Sequence, residues 1–148
     1  RTAGHTHYRM GKDNLGYMGR LCYAQNVSAV TGACMMTKKE LYESVGGLDE
    51  EFKVALNDVD YCLRLRELGK LNVFTPFAEL FHYESKSRGT DVTEEASKEN
   101  VDRYNKECEL FRTRWKELLE KGDPYYNPNF SLDYSNYVLK GNPKGMVE

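Results

Sequence analysis

The feature that most constrains the fold is one apolar stripe in the last third of the chain. Its members recur at intervals of three, four, three, four and three residues: Val101, Tyr104, Cys108, Phe111, Trp115 and Leu118. This spacing places their side chains on one face of an α-helix. A capping-box pattern at Asp91–Glu94 precedes the stripe, and Gly122 ends it. The sequence therefore predicts a long amphipathic helix over 91–122 that packs on a core, with a coiled-coil dimer seam as the alternative.

The middle of the chain alternates strand and helix patterns. The largely apolar run Val27–Met36 predicts a buried strand, in which Gly32 allows a close approach to the backbone. Thr37–Glu40 matches a capping box, so we expect a short helix from there to Gly46 and Gly47. Further patterns predict a helix over 57–69 and strands over 71–74 and 78–81. This order of strand, helix, helix and strand predicts an α/β layer with helices packed on a sheet.

The two ends of the chain carry no helical pattern. Residues 1–29 are rich in His, Tyr, Gly and Arg, and we expect them to be strand and loop from a larger unit. The tail over 123–148 holds three of the four prolines, so we expect it to be extended over the surface. The length of 148 residues matches one domain, yet the chain begins at Arg1 rather than Met. We therefore expect a piece cut from a longer protein.

Charge and hydropathy argue against two classes of protein. The 21 basic and 23 acidic residues leave a net charge of −2, which does not suit a chain held on nucleic acid by phosphate neutralisation. No apolar run approaches the ~20 residues of a membrane span, and no signal-type segment opens the chain. The four cysteines are widely spaced, without a CxxC pair. We expect reduced, structural thiols and hence a cytoplasmic compartment.

The acidic pair Asp58 and Asp60 is the first candidate for chemistry. On a strand or turn, the two carboxylates would share a face and could bind one cation. At the start of a helix they diverge by about 200° instead. Because a helical pattern follows directly, we expect Asp58 to face a cleft and Asp60 to point elsewhere. Spacing alone also leaves open that Asp58 only caps the helix.

Histidine and arginine side chains offer further candidates. His82 follows an apolar run and precedes a polar loop that contains Arg88. Imidazole can bind a divalent ion and guanidinium can bind phosphate oxygens, but a core histidine and a solvated arginine are equally open. His5 and His7 alternate as on a strand, and in an unpatterned terminus an incidental arrangement is favoured over a metal pair. Spacing gives little support to a small metal-binding protein built on these histidines and Asp58.

Taken in order, these segments resemble the C-terminal part of inverting family-two glycosyltransferases. They are similar to the rhamnosyltransferase-like branch that builds bacterial cell-surface polysaccharides. The matching segments are Val30–Cys34, Val45–Glu50, Asn57–Arg64, Gly69, Pro76, Ala78, His82–Ser85, Ser87–Gly89 and Asp123–Asn129. The family has a GT-A fold, so the resemblance implies a partial GT-A-like α/β layer over 30–90. In this interpretation the layer is the acceptor-side half, with few strands and packed helices, followed by the long helix and the extended tail.

The resemblance also implies a role for each site residue. Asp58 matches the general base that takes the proton from the acceptor hydroxyl as it attacks the anomeric carbon. His82 matches a position that helps to hold the metal-diphosphate, and Arg88 lies where a loop could neutralise the leaving nucleoside diphosphate. Asn57 stands where the family usually has an acidic residue. The candidate substrate-binding residues are Gly32, Ala33, Cys34, Asn57, Asp60 and Arg88.

Cofactor and partners follow from the same resemblance. The nucleotide-binding half, with a DxD motif that holds Mn²⁺ or Mg²⁺, is expected upstream in the same protein. The implied substrates are a nucleotide-sugar donor and a glycan or lipid-linked acceptor, in the cytoplasm or at the inner face of the membrane. The isolated chain is expected to be inactive, and a homodimer through uncovered apolar surface is left open. The alternative is a non-catalytic carbohydrate-binding or assembly module, whose tyrosine-rich tail would stack on sugar rings.

Overall fold

The computed structural model describes residues 2–8, 10–80 and 98–141. Within these ranges the chain forms four α-helices and one two-stranded sheet, which confirms the mixed α/β class. The helices are α1 (Lys39–Ser44), α2 (Asn57–Glu67), α3 (Lys98–Arg114) and α4 (Lys116–Lys121). The strands are β1 (Gln25–Val27) and β2 (Asn72–Phe74), and 3₁₀ turns lie at Tyr17–Gly19 and Gly32–Cys34. No helix in these ranges combines the length and apolar character that crossing a bilayer requires.

The sheet is antiparallel and is fastened to α2. Gln25 pairs with Phe74, and Val27 pairs with Asn72. The Asn72 side chain is buried, and its Nδ2 donates to the backbone oxygens of Ser28 at 2.9 Å and Cys62 at 3.0 Å. These two bonds satisfy both hydrogens of the buried amide, as burial of a polar group requires. Because Cys62 lies in α2, these bonds fix the position of the sheet against the helix.

Helix α2 lies at the centre of the fold, between two apolar clusters. One cluster consists of Phe52, Leu63, Phe111 and Trp115, and thus joins α2 to α3. The other consists of Tyr61, Cys62 and Leu65, with Met35, Leu41 and Val45 packed against it. Two buried faces on one helix explain why α2 is the most enclosed element of the described chain. The predicted helix over 57–69 is confirmed to within two residues, and Gly69 follows it with a φ of +70°.

The apolar stripe of the last third faces inward, as its spacing predicts. Cys108, Phe111 and Trp115 are buried, and the stripe's remaining members are half-buried. The helix is not continuous, because Trp115 has φ −105° and ψ 23° and separates α3 from α4. Gly122, with a φ of +84°, follows the end of α4 at the predicted place. Residues 91–97, the predicted start of the helix, lie outside the described residues.

Three local predictions are wrong. The buried strand over 27–36 does not form, since β1 ends at Val27. Gly32–Cys34 is instead an exposed 3₁₀ turn, in which Thr31 Oγ1 accepts from the backbone N–H of Ala33. The Thr37 hydroxyl does not cap α1. It bonds the hydroxyl of Tyr61 at 2.9 Å, because that buried phenol needs a partner. No strand forms over 78–80, and residue 81 lies outside the described residues.

The cysteines are free, in line with the predicted reduced state. Cys62 and Cys108 are buried, whereas Cys22 and Cys34 are exposed, so Cys34 is not the core residue that its apolar neighbours suggest. Burial raises the pKa of the Cys62 thiol. Cys62 therefore acts as a small apolar side chain inside α2.

The tail contains no helix over 123–141, as predicted, but it folds back on itself and onto the other end of the chain. Ser131 donates its backbone N–H to Val138 at 2.7 Å, and His7 donates its own to Ser135 at 2.6 Å. Rings from the tail and the first segment pack together, with centroids 5.1–5.8 Å apart: Tyr17, Tyr126, Phe130 and Tyr137. The tail is thus a packed part of the fold.

Candidate functional site

Asp58 lies in the first turn of α2, where the backbone N–H groups have no partner inside the helix. Side chains take their place. Asn57 Oδ1 accepts from the N–H of Asp58 at 2.7 Å, and Asp58 Oδ1 accepts from the N–H of Val59 at 2.8 Å. The residue before the helix, Leu56, has φ 64° and ψ 2°, which is the left-handed region. Asp58 is thus the second residue of the helix rather than its N-cap, and its carboxylate satisfies one free N–H group of the first turn.

The second oxygen of Asp58 points to the Gly32–Cys34 turn. The N–H of Gly32 donates to Asp58 Oδ2 at 2.7 Å, across 26 residues of sequence. A Cβ at position 32 would lie 3.3 Å from the Asp58 Cβ, so glycine permits this approach. The turn residues, including Ala33 and Cys34, are exposed, and Asp58 is half-buried. The structure thus brings two predicted segments together at one carboxylate.

The arrangement leaves Asp58 oriented and able to react. Each carboxylate oxygen accepts one backbone N–H, which leaves each with capacity for a further hydrogen bond. Two N–H donors fix the plane of the carboxylate beside an exposed turn. A hydroxyl that reached this surface could donate to Asp58, which is the geometry that a general base needs.

Asp60 has a different place, and its predicted divergence from Asp58 is confirmed. Its side chain is fully buried. Oδ2 accepts from Arg64 Nε at 2.8 Å, and Oδ1 accepts from Arg114 at 3.0 Å and from Trp115 Nε1 at 3.0 Å. Asp60 holds helices together and has no surface open to a ligand, which corrects its predicted place among the substrate-binding residues.

Arg114, which bonds Asp60, also forms ion pairs with two acidic residues of the loop before α2. Its guanidinium also bonds Asp49 at 2.7 Å and Glu51 at 2.9 Å, so α3 is tied both to α2 and to the loop before it. The backbone N–H of Glu51 and the Arg114 guanidinium lower the pKa of Asp49. Burial opposes the charge of Arg114, but hydrogen bonds to Asp49 and Asp60 outweigh it and raise the Arg114 pKa. Both shifts favour the charged forms of Asp49 and Arg114, which supports their ion pair.

Two further side chains hold the segments around α2 through backbone atoms. Arg64 donates to the backbone oxygens of Val45 at 2.5 Å and Gly47 at 2.7 Å, which fastens the end of α1. Glu107, which is 4% exposed, accepts from the N–H groups of Lys53 at 3.1 Å and Ala55 at 2.7 Å. The segment that leads into Asn57 and Asp58 is thus bound to α3.

Glu107 and Arg114 are not among the predicted site residues, although the sequence carries a signal for both. Glu107 lies three residues after Tyr104 and four before Phe111. Arg114 has the same relation to Phe111 and Leu118. Both charges therefore lie on the apolar face of the predicted helix, where a charged side chain needs a buried partner.

Two of the remaining candidates, His82 and Arg88, lie outside the described residues. His7 lies within them. His7 Nε2 accepts from the N–H of Tyr17 at 3.2 Å, and the His7 ring packs on Tyr137 with centroids 5.1 Å apart. Burial and then the charge of Arg20 lower the pKa of His7. The part of the chain that the structure describes holds no cluster of three or more His, Cys, Asp and Glu side chains suited to a metal ion.

Comparison with known proteins gives bacterial relatives, two of which carry functional names. The chain is 44% identical over 138 residues to the uncharacterized protein y4gI of Sinorhizobium fredii, with 93% of the chain covered. It is 36% identical over 143 residues to the O-antigen biosynthesis protein RfbC of Myxococcus xanthus, with 96% covered. Over 65 residues, 44% of the chain, it is 35% identical to an N-acetylglucosaminyl-diphospho-decaprenol L-rhamnosyltransferase of Mycobacterium tuberculosis.

The chain spans only a small part of each relative: 15% of y4gI, 10% of RfbC and 21% of the rhamnosyltransferase. No protein-family model matches the chain, and no solved structure does. The chain is therefore similar to parts of proteins named for O-antigen biosynthesis and for rhamnosyl transfer. At this level the resemblance to glycosyltransferases is confirmed.

Proposed function

We propose that the chain is the acceptor-side, C-terminal part of a longer inverting glycosyltransferase of family two with a GT-A fold. The protein would move a sugar from a nucleotide-sugar donor to a hydroxyl of a glycan or lipid-linked acceptor, in bacterial cell-surface polysaccharide synthesis. One observation carries the proposal: the N–H groups of Gly32 and Val59 hold the Asp58 carboxylate beside an exposed turn. The names of the relatives support the class of reaction.

In the proposed reaction Asp58 acts as the general base. The acceptor hydroxyl donates a hydrogen bond to a carboxylate oxygen and loses its proton to it as the hydroxyl oxygen attacks the anomeric carbon. The bond from that carbon to the nucleoside diphosphate breaks on the opposite side, so the configuration inverts. Gly32, Ala33 and Cys34 would form the surface under the reacting sugar, because the glycine leaves room above the backbone. Asn57 would contribute by keeping Asp58 in place through their 2.7 Å bond.

The remaining components belong to other parts of the protein in this proposal. An upstream half would bind the nucleotide and a divalent cation, Mn²⁺ or Mg²⁺. When bound, the cation would neutralise the diphosphate. His82 and Arg88 would assist at the same diphosphate. The protein would act in the cytoplasm or at the inner face of the membrane.

The test is Asp58→Asn in the full-length protein. The amide keeps the shape of the side chain but cannot take the acceptor's proton, so we expect the rate of transfer to fall by about 10²–10⁴-fold. Nucleoside diphosphate release is measured with a panel of nucleotide sugars and a lipid-linked glycan acceptor. Calorimetry should give an unchanged donor Kd, because Asp58 faces the acceptor.

The control is Asp13→Asn, which makes the same change on an exposed residue of the first segment and should leave transfer intact. Near-normal turnover in the Asp58→Asn protein would rule out the general-base role. Tight binding of a nucleotide sugar with Mn²⁺ to the isolated chain would contradict the assignment of the donor site to an upstream half.

The alternative, a non-catalytic carbohydrate-binding module, is less well supported. It relies on tyrosine faces in the tail that are free to stack on sugar rings. Tyr126 and Tyr137 instead pack against each other and against Phe130, with centroids 5.1–5.8 Å apart. These three rings of the tail are thus used inside the fold.

A further inference from the structure

The backbone that leads into Asp58 is held in an unfavourable conformation. Leu56, the residue before α2, has φ 64° and ψ 2°, a region that suits glycine and is costly for a leucine. Such a conformation persists only where the surrounding structure imposes it. Its position matters, because Leu56 sets the direction in which Asn57 and Asp58 leave the loop and enter the helix.

Glu107 supplies contacts that impose this conformation. Its carboxylate comes from α3 and is 4% exposed. One oxygen accepts from the N–H of Lys53 at 3.1 Å, and the other accepts from the N–H of Ala55 at 2.7 Å. Both bonds go to backbone atoms within three residues of Leu56, and both require an acceptor. A carboxylate meets this requirement, whereas an amide has only one acceptor oxygen.

We propose that Glu107 is a positioning residue for Asp58, which fixes the Lys53–Leu56 segment so that the Asp58 carboxylate meets the N–H of Gly32. The catalytic meaning of this inference rests on the proposed function of Asp58. Glu107 itself touches no substrate, because it is buried behind the loop. Asp60 holds the same turn of α2 through Arg64, Arg114 and Trp115. Loss of Glu107 should therefore displace Asp58 without unfolding the helix.

The first test is nuclear magnetic resonance of the isotopically labelled chain. An amide proton that is hydrogen-bonded to a carboxylate resonates downfield, so the Gly32 amide reports its 2.7 Å contact with Asp58. The Asp58→Asn variant defines the shift that follows when the charged acceptor is lost. In Glu107→Gln we expect the Gly32 amide to move in the same direction, by at least half as much. The Leu65 amide, in the body of α2, should keep its position.

Two variants make this test specific. Glu109→Gln removes the same charge from an exposed residue of α3 and should leave the Gly32 amide unchanged. Glu107→Asp keeps both acceptor oxygens on a shorter stem, so a smaller shift in the same direction is expected; this variant carries the test if Glu107→Gln does not fold. An unchanged Gly32 amide in a folded Glu107 variant would overturn the proposal, as would equal shifts at Gly32 and Leu65.

The second test is kinetic and uses the full-length protein. Glu107→Gln should lower kcat about tenfold with an unchanged KM for the donor, because a displaced base slows only the chemical step. Added to Asp58→Asn, it should cause no further loss, since no base remains to be positioned. Additive losses in the double variant would overturn the positioning role. If Asp58→Asn alone keeps normal turnover, the proposed function fails, while the Gly32 amide still decides whether Glu107 positions Asp58.

Discussion

At the scale of single residues, the position of Asp58 depends on the lack of a side chain at residue 32. The Gly32 backbone is outside the left-handed region, so alanine can adopt its conformation. The added Cβ would nevertheless lie 3.3 Å from the Asp58 Cβ and 3.6 Å from Oδ2, which forces the carboxylate to move by a few tenths of an ångström. We therefore expect Gly32→Ala to lower the rate of transfer by about tenfold.

Steady-state kinetics of the full-length protein measure this effect, and a urea titration should show little change in stability, within about 0.5 kcal/mol. Gly11→Ala is the matched control, because a Cβ there meets no atom within 4 Å. Equal activity of the two alanine variants would mean that the close approach at Gly32 has no part in the reaction.

The residues of the site differ in how far the sequence predicts them. The divergence of Asp58 and Asp60 follows from the helical period and is predicted correctly. The turn at Gly32 is not predicted, because the apolar run around it has the pattern of a strand. The small side chains at the turn bury too little area to stabilise that strand. Two of the three partners of Asp60, Arg114 and Trp115, lie 54 and 55 residues away, a separation that no local pattern encodes.

At the scale of elements, one of the two apolar clusters of α2 joins it to α3. Phe111 is 1% exposed and lies in the cluster with Phe52, Leu63 and Trp115. We expect Phe111→Ala to destabilise the chain by about 3–5 kcal/mol, through lost burial and the cavity left behind. Phe77→Ala deletes the same ring from a residue that is 86% exposed, so its effect should stay within about 0.5 kcal/mol.

Chemical denaturation followed by circular dichroism gives both values on one scale. Similar midpoints for the two variants would show that α3 does not pack on α2 in solution. The stripe predicts this contact well, since one apolar face on a helix must find a core. It does not predict the break at Trp115, where the indole turns its Nε1 to Asp60 and the backbone leaves the helical region.

At the scale of the whole molecule, the first segment packs against the tail, although neither sequence carries a pattern that indicates the other as its partner. Ser28 donates its hydroxyl to Asp123 at 2.7 Å, across 95 residues of sequence. The first segment and the tail then share an aromatic cluster around Tyr137. Contacts across more than 90 residues carry no periodic signal, so composition alone could indicate only that the tail is not helical.

The first segment, whose His7 ring packs on Tyr137 of the tail, should respond to pH through His7. Its neutral Nε2 accepts from the N–H of Tyr17 at 3.2 Å, and protonation would remove that acceptor. Burial, and then the nearby charge of Arg20, lower the pKa of His7 from 6.5 in the folded chain. The unfolded chain therefore binds this proton more readily than the folded one. The contribution of His7 to stability is present above pH 6.5 and is lost as the pH falls through 6.5 towards the folded pKa.

Thermal unfolding at about pH 7.5 and about pH 5.5 measures this dependence, on either side of the ordinary pKa of histidine. We expect the Tm of the unmodified chain to fall on acidification. The Glu109→Gln variant keeps His7, so its Tm should fall equally. His7→Gln offers an amide oxygen to Tyr17 but does not titrate, so its Tm should fall less. His5→Gln is the matched control, because His5 is exposed and its ring centre lies 6.0 Å from that of Tyr8. This variant should keep the pH dependence of the unmodified chain. An equal fall in the two histidine variants would show that the titration of His7 does not contribute to the stability of the folded chain.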